Sequence, residues 1–259
     1  MENVSYSRRL PVLLPGDPPE FLVHDELEPC PYLTDRKARL PFRVPVRSLL
    51  GHELDRRLAE GDRRNGPLLY RPSCPDCNAC EPIRLDVERF APRERHRRVL
   101  RRGDASLRTE MGPALVTDER VALYNTHLEG RGLRNGGAPM DRDGYAHFLT
   151  ESCCSSFELR YYAGDRLVGI AVTDRGQEAL SAVYCFYDPA FGRFSPGTYS
   201  ILKQLELCRS WGFRYLYLGL HVQGSSVMAY KSRFLPHERL LGGEWVEITE
   251  PSADAPTEP

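Results

Sequence analysis

Three evenly spaced cysteines constrain the fold of this chain more than any other feature. Cys74, Cys77 and Cys80 follow one another at intervals of three in Cys-Pro-Asp-Cys-Asn-Ala-Cys. This spacing lets a short knuckle turn bring the sulfurs within bonding distance of one metal ion or one cluster. Cys30, in a loop between two prolines, is the expected fourth ligand, with His24 as second choice. Zinc and an iron-sulfur cluster both accept four thiolates, so either cofactor remains possible, and a plain turn with surface thiols is the alternative.

The redox setting decides between ligation and disulfides. The N-terminus, beginning Met1-Glu2-Asn3-Val4-Ser5, has no apolar stretch of the kind that directs export. No segment of the chain approaches the roughly 18 apolar residues that a membrane span needs. We therefore expect a reducing, cytoplasmic location and no membrane partner, which favours ligation over disulfides.

An arginine-rich segment follows the cysteines. Between Arg84 and Arg102 the sequence has eight arginines and three acidic residues, although the whole chain has a net charge of -1. The planar fork of arginine suits phosphate oxygens, and without a row of aromatic residues the segment favours the backbone of a folded RNA. A solvated helix face is the alternative. The residues that we expect to bind RNA are Arg93, Arg95, Arg97, Arg98, Arg101 and Arg102.

The length of 259 residues and 41% hydrophobic content indicate a folded chain with a core of its own. We predict an N-terminal cysteine-containing domain over residues 1–82, a larger domain over 83–250 and a disordered tail over 251–259. The larger domain is predicted to contain a strand, two helices, three strands, a helix ending near Gly212, a strand, a short helix over Ser225–Phe234 and a last strand. In the smaller one, Val46, Leu49, Leu50, Leu54 and Leu58 predict one amphipathic helix.

This order of elements is typical of the α+β acyltransferase fold of the GCN5-related N-acetyltransferases, a mixed sheet with flanking helices. Members of that fold cradle an acyl-CoA pyrophosphate on free backbone N–H groups where a glycine-rich turn begins a helix. Here the turn reads Arg193-Phe-Ser-Pro-Gly-Thr198, with one glycine and a proline that removes a donor. The sequence therefore argues against CoA, and we expect no nucleotide cofactor.

Several motifs between about residues 28 and 248 resemble the aminoacyl-tRNA–protein transferases, in particular the bacterial leucyltransferases that act on N-terminal Asp and Glu and are related to arginyltransferase. The motifs are Cys30-Pro-Tyr-Leu33, Tyr70-Arg-Pro72 with the cysteine knuckle, Arg84, Arg95 to Arg98, Leu180-Ser-Ala-Val-Tyr184, Phe186-Tyr-Asp-Pro189, Gly197-Thr-Tyr199, Tyr215-Leu-Tyr-Leu-Gly219 and Met228-Ala-Tyr-Lys231. The segment from Gly224 to Met228 departs from the family pattern. Because the bacterial members of the family fit these motifs best, leucine is the first choice of donor and arginine the second.

The resemblance implies peptide-bond formation. The α-amine of an acceptor protein that begins with Asp or Glu attacks the ester carbonyl of an aminoacyl-tRNA, and the product enters N-degron proteolysis. An ester is already activated, so alignment and the movement of one proton are the main tasks. Tyr184, Tyr187 and Asp188 are the candidate catalytic residues, with core tyrosines and a turn-forming Asp-Pro as the alternative.

For substrate binding the resemblance suggests Arg71, Tyr230, Lys231 and Arg233, with Lys231 holding either the acceptor's carboxylate or a tRNA phosphate. Two other functions remain open at this point. One is an acetyl-CoA-dependent N-acetyltransferase. The other is a non-catalytic metal-containing protein that binds RNA or senses redox state.

Overall fold

The computed structural model describes residues 11–134, 136–225 and 228–250. The predicted leader-free N-terminus and the predicted disordered tail lie outside these residues. In chain order the strands are β1 (Val12–Leu14), β2 (Glu20–His24), β3 (Leu27–Pro29), β4 (Lys37–Arg39), β5 (Phe42–Pro45), β6 (Arg63–Asn65), β7 (Leu68–Tyr70), β8 (Cys80–Asp86), β9 (Arg108–Gly112), β10 (Ser156–Ala163), β11 (Arg166–Arg175), β12 (Ala179–Tyr187), β13 (Tyr215–Val222), β14 (His237–Leu241) and β15 (Glu244–Ile248). The α-helices are α1 (Gly51–Ala59), α2 (Glu94–Asp104), α3 (Asp118–Gly130), α4 (Arg142–Tyr145) and α5 (Pro196–Trp211). A π-helical turn (Ala146–Thr150) continues α4, and 3₁₀ turns span Pro189–Phe194 and Ala229–Arg233.

The larger sheet has eight strands in the order β15-β14-β8-β13-β12-β11-β10-β9. Its neighbouring strands are antiparallel except for β12 and β13, which are parallel because α5 crosses over between them. The larger sheet is thus mixed and flanked by helices, which confirms the predicted α+β architecture. No helix among the described residues is long and apolar enough to cross a membrane.

The parallel pair separates after a short contact. Ala179, Leu180 and Ser181 pair with Tyr215, Leu216 and Tyr217, and beyond these positions β12 and β13 are not paired with each other. On its other side β13 has an irregularity between Tyr217 and Gly219 in its pairing with β8, and Gly219 has a φ of +89°. The divergence of the two central strands opens space in the middle of the sheet.

The larger sheet is covered on both faces. Strand β11 is buried along nearly its whole length, as expected for a strand with a hydrophobic layer on each side. Its Val168 and Ala171 pack in the cluster that contains α5, whereas Ile170 and Val172 pack in the cluster that contains α3. Helix α2 lies against α5.

The N-terminal part forms a five-stranded sheet in the order β1-β2-β5-β7-β6 and a separate hairpin of β3 and β4. Leu54 and Leu58 of α1 share a core with Ala179 and Tyr217 of the larger sheet. The expected domain boundary at 82/83 falls inside β8, and β8 pairs with β13 and β14.

The structure also differs from the predicted elements. Helix α1 begins at Gly51, after Val46 and Leu50, because the Glu53 carboxylate accepts the Leu50 N–H and fixes the first turn. The arginine segment forms α2, and neither α2 nor β9 nor β14 was predicted. Within the predicted helix Ser225–Phe234, the described residues form only the 3₁₀ turn Ala229–Arg233.

Candidate functional site

A cavity of about 410 Å³ lies where β12 and β13 diverge. The end of α3, the start of α5 and the turn after β13 complete its wall. The lining residues are His127, Arg131, Leu133, Ala182, Val183, Tyr184, Cys185, Tyr187, Ser195, Gly197, Thr198, Ser200, Ile201, Gln204, Leu218, Met228, Tyr230 and Lys231. None of these described lining residues is Asp or Glu, so the wall combines apolar, hydroxyl and cationic side chains.

Four of the residues predicted from the sequence line this cavity, namely Tyr184, Tyr187, Tyr230 and Lys231. Burial raises the pKa of the Tyr184 hydroxyl well above its ordinary value, and Tyr124 beside it adds to the effect. Tyr184 is therefore a hydrogen-bond donor at neutral pH and is unsuited to act as a base. The Tyr187 hydroxyl accepts a hydrogen bond from Arg131, whose guanidinium lies 5.9 Å from the ring centre.

Asp188, the third predicted catalytic residue, is not among the residues that line the cavity. Its carboxylate accepts the N–H of Ala190, 2.9 Å away, and caps the 3₁₀ turn that follows. The same carboxylate is paired with Arg166. The geometry therefore gives Asp188 the turn-forming role that the Asp-Pro sequence offered as the alternative.

Lys231 and Arg63 meet over Gly219. A Cβ added at Gly219 would lie 3.0 Å from Arg63 Nη2 and 3.3 Å from Lys231 Nζ. Both residues are buried, with 8% of Arg63 and 9% of Lys231 exposed. Burial, followed by the charge of Arg63, lowers the pKa of Lys231 to about 7. Only glycine, with its positive φ and no side chain, allows this close approach at position 219.

His127 and Arg131 complete the polar wall, and the sequence motifs pointed to neither. His127 Nδ1 lies 3.0 Å from the Tyr187 carbonyl oxygen and 3.2 Å from the Tyr187 amide nitrogen. This backbone contact occupies Nδ1 and leaves Nε2 available to the cavity. Burial lowers the pKa of His127, so its ring is neutral at pH 7.

The two remaining residues predicted to bind substrate lie away from the cavity lining. Arg71 is paired with Asp62 at 3.0 Å and Glu60 at 3.1 Å. The Arg233 carbonyl accepts a hydrogen bond from the Arg95 side chain. The structure thus uses Arg71 to hold neighbouring segments together, and it does not bring Arg71 or Arg233 to the cavity wall.

The beginning of α5 forms one end of the cavity. Ser195 takes a left-handed backbone conformation with φ of 50°, and Pro196 begins the helix. Gly197 and Thr198 belong to the first helical turn, where backbone N–H groups lack intrahelical partners. The proline removes one of these donors.

The arginine helix α2 has two kinds of residues. Arg97 and Arg101 are exposed and paired with Glu94 at 3.1 and 2.7 Å. Arg95 is half-buried and its side chain contacts His96 Nε2 at 3.2 Å. Arg93, Arg98 and Arg102 are also exposed, and Arg102 donates to the Arg193 carbonyl beside the start of α5. The exposed arginines leave a basic helix face on the surface, near α5, while Arg95 has a structural role.

The four predicted metal ligands are neighbours. Burial raises the pKa of the Cys80 thiol to about 12, and the thiols of Cys74, Cys30 and Cys77 add to this rise. The Arg39 N–H donates to the Cys74 sulfur at 3.4 Å, as a backbone amide does to a thiolate ligand. Among the described residues, however, no three His, Cys, Asp or Glu side chains stand close enough together to hold a metal ion. The metal site stays a prediction, and the set of donors fits zinc or a cluster by its chemistry alone.

The chain is similar to known proteins over most of its length. The family model for the C terminus of arginine-tRNA-protein transferase matches residues 119–241, and the model for the N terminus matches residues 28–98. An aspartate/glutamate leucyltransferase of Halorhodospira halophila is 39% identical over 226 residues, which are 86% of this chain and 95% of the relative. A protein of the same description from Thiobacillus denitrificans is 39% identical over 219 residues, 83% of this chain and 90% of the relative. Among solved structures, L-PGS from Bacillus licheniformis resembles 60% of this chain and 57% of its own with a TM-score of 0.44 and 9% identity.

Proposed function

We propose that this chain, which belongs to the arginine-tRNA-protein transferase family, is an aminoacyltransferase that moves leucine from leucyl-tRNA to proteins beginning with Asp or Glu. The relatives described as aspartate/glutamate leucyltransferases support this reaction and both substrates. The amide bond forms at the acceptor's α-amine, and the 3′-terminal hydroxyl of the tRNA leaves. Destabilising residues added in this way would mark proteins for N-degron proteolysis, and we propose the cytoplasm, where such proteolysis takes place, as the location of the enzyme.

The composition of the cavity wall carries the choice of leucine over arginine. An arginine donor would bury a guanidinium, and a buried guanidinium needs a carboxylate partner. The described lining offers no carboxylate and already contains the cations of Arg131 and Lys231. Ile201, Leu218 and Met228 instead provide an apolar surface, on which a leucine side chain gains free energy by leaving water.

Three residues of the cavity supply the groups that the reaction needs. With Nδ1–H donating to the Tyr187 carbonyl, the neutral His127 ring can accept a proton from the attacking amine at Nε2 and return it to the 3′ oxygen that leaves. The buried Tyr184 hydroxyl remains protonated and can donate to the oxygen that gains negative charge as the amine adds to the ester carbonyl. Tyr187, packed against the His127 ring with 4.8 Å between centres, holds that ring in place. Alignment of ester and amine provides the remainder of the rate enhancement.

The tRNA body would lie along the exposed face of α2. Arg102 connects this face to the start of α5, which lines the cavity. Basic side chains there would contact phosphates, which favours binding of a charged and structured RNA. The acceptor end of the tRNA would then enter the cavity beside Gly197 and Thr198.

The cysteine group is proposed as a structural site for zinc or an iron-sulfur cluster, held by Cys30, Cys74, Cys77 and Cys80. A bound metal would cross-link the hairpin of β3 and β4 to the start of β8 and stabilise the fold. Metal and sulfide analysis of anaerobically purified protein distinguishes the two cofactors. A sample with zinc and without sulfide would exclude the cluster.

Mass spectrometry tests the reaction. The protein is incubated with a peptide that begins with Asp, once with leucyl-tRNA and once with acetyl-CoA. We expect the peptide to gain one leucine at its α-amine in the first reaction and to remain unchanged in the second. An acetylated peptide would favour an acetyltransferase, and a peptide unchanged in both would favour a binding protein.

A further inference from the structure

Arg63 and Lys231 differ from the other buried cations of the described residues in having no carboxylate partner. Other buried arginines are paired with carboxylates in the usual way. Arg64 binds Asp174 at 2.8 Å, and Arg120 binds Glu158 at 2.5 Å. Within the described residues, Arg63 and Lys231 form no such ion pair.

Neutral oxygens are the only hydrogen-bond acceptors that the described residues offer to this cation pair. Arg63 donates to Ser181 Oγ at 3.3 Å and to the Ala182 carbonyl at 3.5 Å. Lys231 Nζ donates to the Leu220 carbonyl at 3.0 Å. Two desolvated positive charges side by side cost free energy unless an anion compensates them. An arrangement that keeps such a pair buried is suited to receive a negative group from a substrate.

The cation pair also has access to the cavity. Lys231 is part of the cavity wall, and Arg63 is hydrogen-bonded to Ala182, which is part of the same wall. Gly219 lies beneath both cationic groups and leaves the space that they fill. A small anion that enters the cavity can therefore reach Lys231 directly and Arg63 beside it.

We propose that Arg63 and Lys231 together bind the side-chain carboxylate of the acceptor's N-terminal Asp or Glu. This inference rests on the proposed function. It assigns the selection of the acceptor to Arg63 on β6 and to Lys231 on the 3₁₀ turn that follows β13. The guanidinium fork matches the two carboxylate oxygens, and the lysine ammonium adds a compact charge. An Asn or Gln side chain of the same shape would leave both cations without an anion, so it would be rejected.

The test compares four acceptor peptides that begin with Asp, Asn, Glu or Gln and are otherwise identical. Initial rates of leucyl transfer give kcat/KM for the wild-type protein, Lys231→Met, Arg63→Met and the conservative variant Lys231→Arg. Arg175→Met serves as the matched control, because Arg175 is an exposed cation stacked over Trp211 at 4.6 Å and does not line the cavity. Binding of leucyl-tRNA and the melting temperature are measured for each protein.

The wild-type protein should prefer Asp over Asn and Glu over Gln. In Lys231→Met and Arg63→Met, kcat/KM for the acidic peptides should fall by about 10² to 10³, the usual effect of removing one partner of a desolvated charge pair. The rates for Asn and Gln should change little, so the preference collapses. Lys231→Arg should keep part of it, and Arg175→Met should keep all of it.

An equal loss for acidic and amide peptides, with leucyl-tRNA bound more weakly, would overturn the inference and assign the pair to a tRNA phosphate. If the wild-type protein transfers leucine to no peptide, the proposed function fails by itself. Calorimetric binding of the Asp and Asn peptides then still tests the pair. Equal affinity of the wild-type protein for both peptides would refute its role.

Discussion

Replacement of Lys231 by methionine should make the protein more stable although it damages acceptor selection. Burial and Arg63 lower the pKa of Lys231 from 10.5 to about 7, and a change of that size corresponds to about 5 kcal/mol. Below pH 7 the folded protein holds this lysine charged at that cost, whereas the unfolded chain holds it charged in water. Loss of the hydrogen bond to the Leu220 carbonyl would offset about 1 kcal/mol of the gain.

The gain in unfolding free energy of Lys231→Met over the wild type should decrease as pH rises. A base whose pKa is lower in the folded state destabilises that state fully below the folded pKa, and the penalty decreases as pH rises towards the unfolded value. The difference in unfolding free energy between Lys231→Met and the wild type should therefore be several kcal/mol at pH 6 to 7. At pH 9 it should be smaller by about 3 kcal/mol, since two of the intervening pH units lie above the folded pKa.

Urea unfolding at pH 6, 7 and 9 measures this difference. Lys203→Met is the matched control, because Lys203 forms ion pairs with Asp104 and Glu206 and its pKa is raised. The control should lose a little stability with no change between pH 6 and 9. A Lys231→Met protein that is less stable than the wild type, or whose gain is the same at every pH, would refute the reasoning about a buried unpaired cation.

Three further predictions concern RNA binding, proton transfer and the cysteine group. Replacement of Arg98, Arg101 and Arg102 by glutamine should weaken leucyl-tRNA binding and reduce the magnitude of the slope of log K against log salt by about 0.7 to 0.9 per lost phosphate contact. An unchanged slope in a filter-binding titration would show that α2 is not part of the tRNA-binding surface. His127→Asn should lower kcat by about 10² to 10⁴ and remove the acidic limb of the kcat profile below pH 6.5, because burial lowers the pKa of His127 and the ring is neutral above that pH. A mutant profile with the same limb would exclude His127 as the base. Cys80→Ser or strong chelation should lower the melting temperature of the purified protein, and an unchanged melting curve with no released metal would contradict a structural metal site.

The sequence predicted correctly those structural features that depend only on residues close together in the chain. Asn65-Gly66 predicts the turn between β6 and β7, where Gly66 has a φ of +57°. Gly212 ends α5 in the left-handed conformation, as a C-terminal glycine usually does. Asp141 caps α4 by accepting the Gly144 N–H, as Asp commonly does at the start of a helix. Each of these features depends on a few neighbouring residues and is therefore readable from the chain.

Features that depend on distant partners could not be predicted in this way. The arginine helix α2 contains only two large apolar residues, Val99 and Leu100, so its sequence resembles a solvated loop. Arg63 lies in a strand of three residues and would be expected at the surface, but the neighbouring sheet buries it. Gly219 inside a strand pattern was the one signal of a close approach, and only the fold shows that the approaching groups are Arg63 and Lys231.

The residues of the candidate site also differ in whether the sequence alone could identify them. Tyr184, Tyr187, Tyr230 and Lys231 were identified by resemblance to a family, and the structure brings these four together around one cavity. Asp188 was identified by the same resemblance, but in the structure it caps the 3₁₀ turn Pro189–Phe194, because Asp-Pro at the end of a strand favours a turn. His127 lies on α3 one turn after Leu123 and Tyr124, and nothing in its local sequence separates it from a core histidine.

The relative rate of transfer from leucyl-tRNA and arginyl-tRNA tests the central claim most directly. Both charged tRNAs are offered separately, at equal concentration, with the same peptide beginning with Asp, and initial rates are followed by mass spectrometry. A cavity wall that lacks carboxylates among its described residues predicts transfer of leucine and little or no transfer of arginine. Faster transfer from arginyl-tRNA would contradict this account of the cavity.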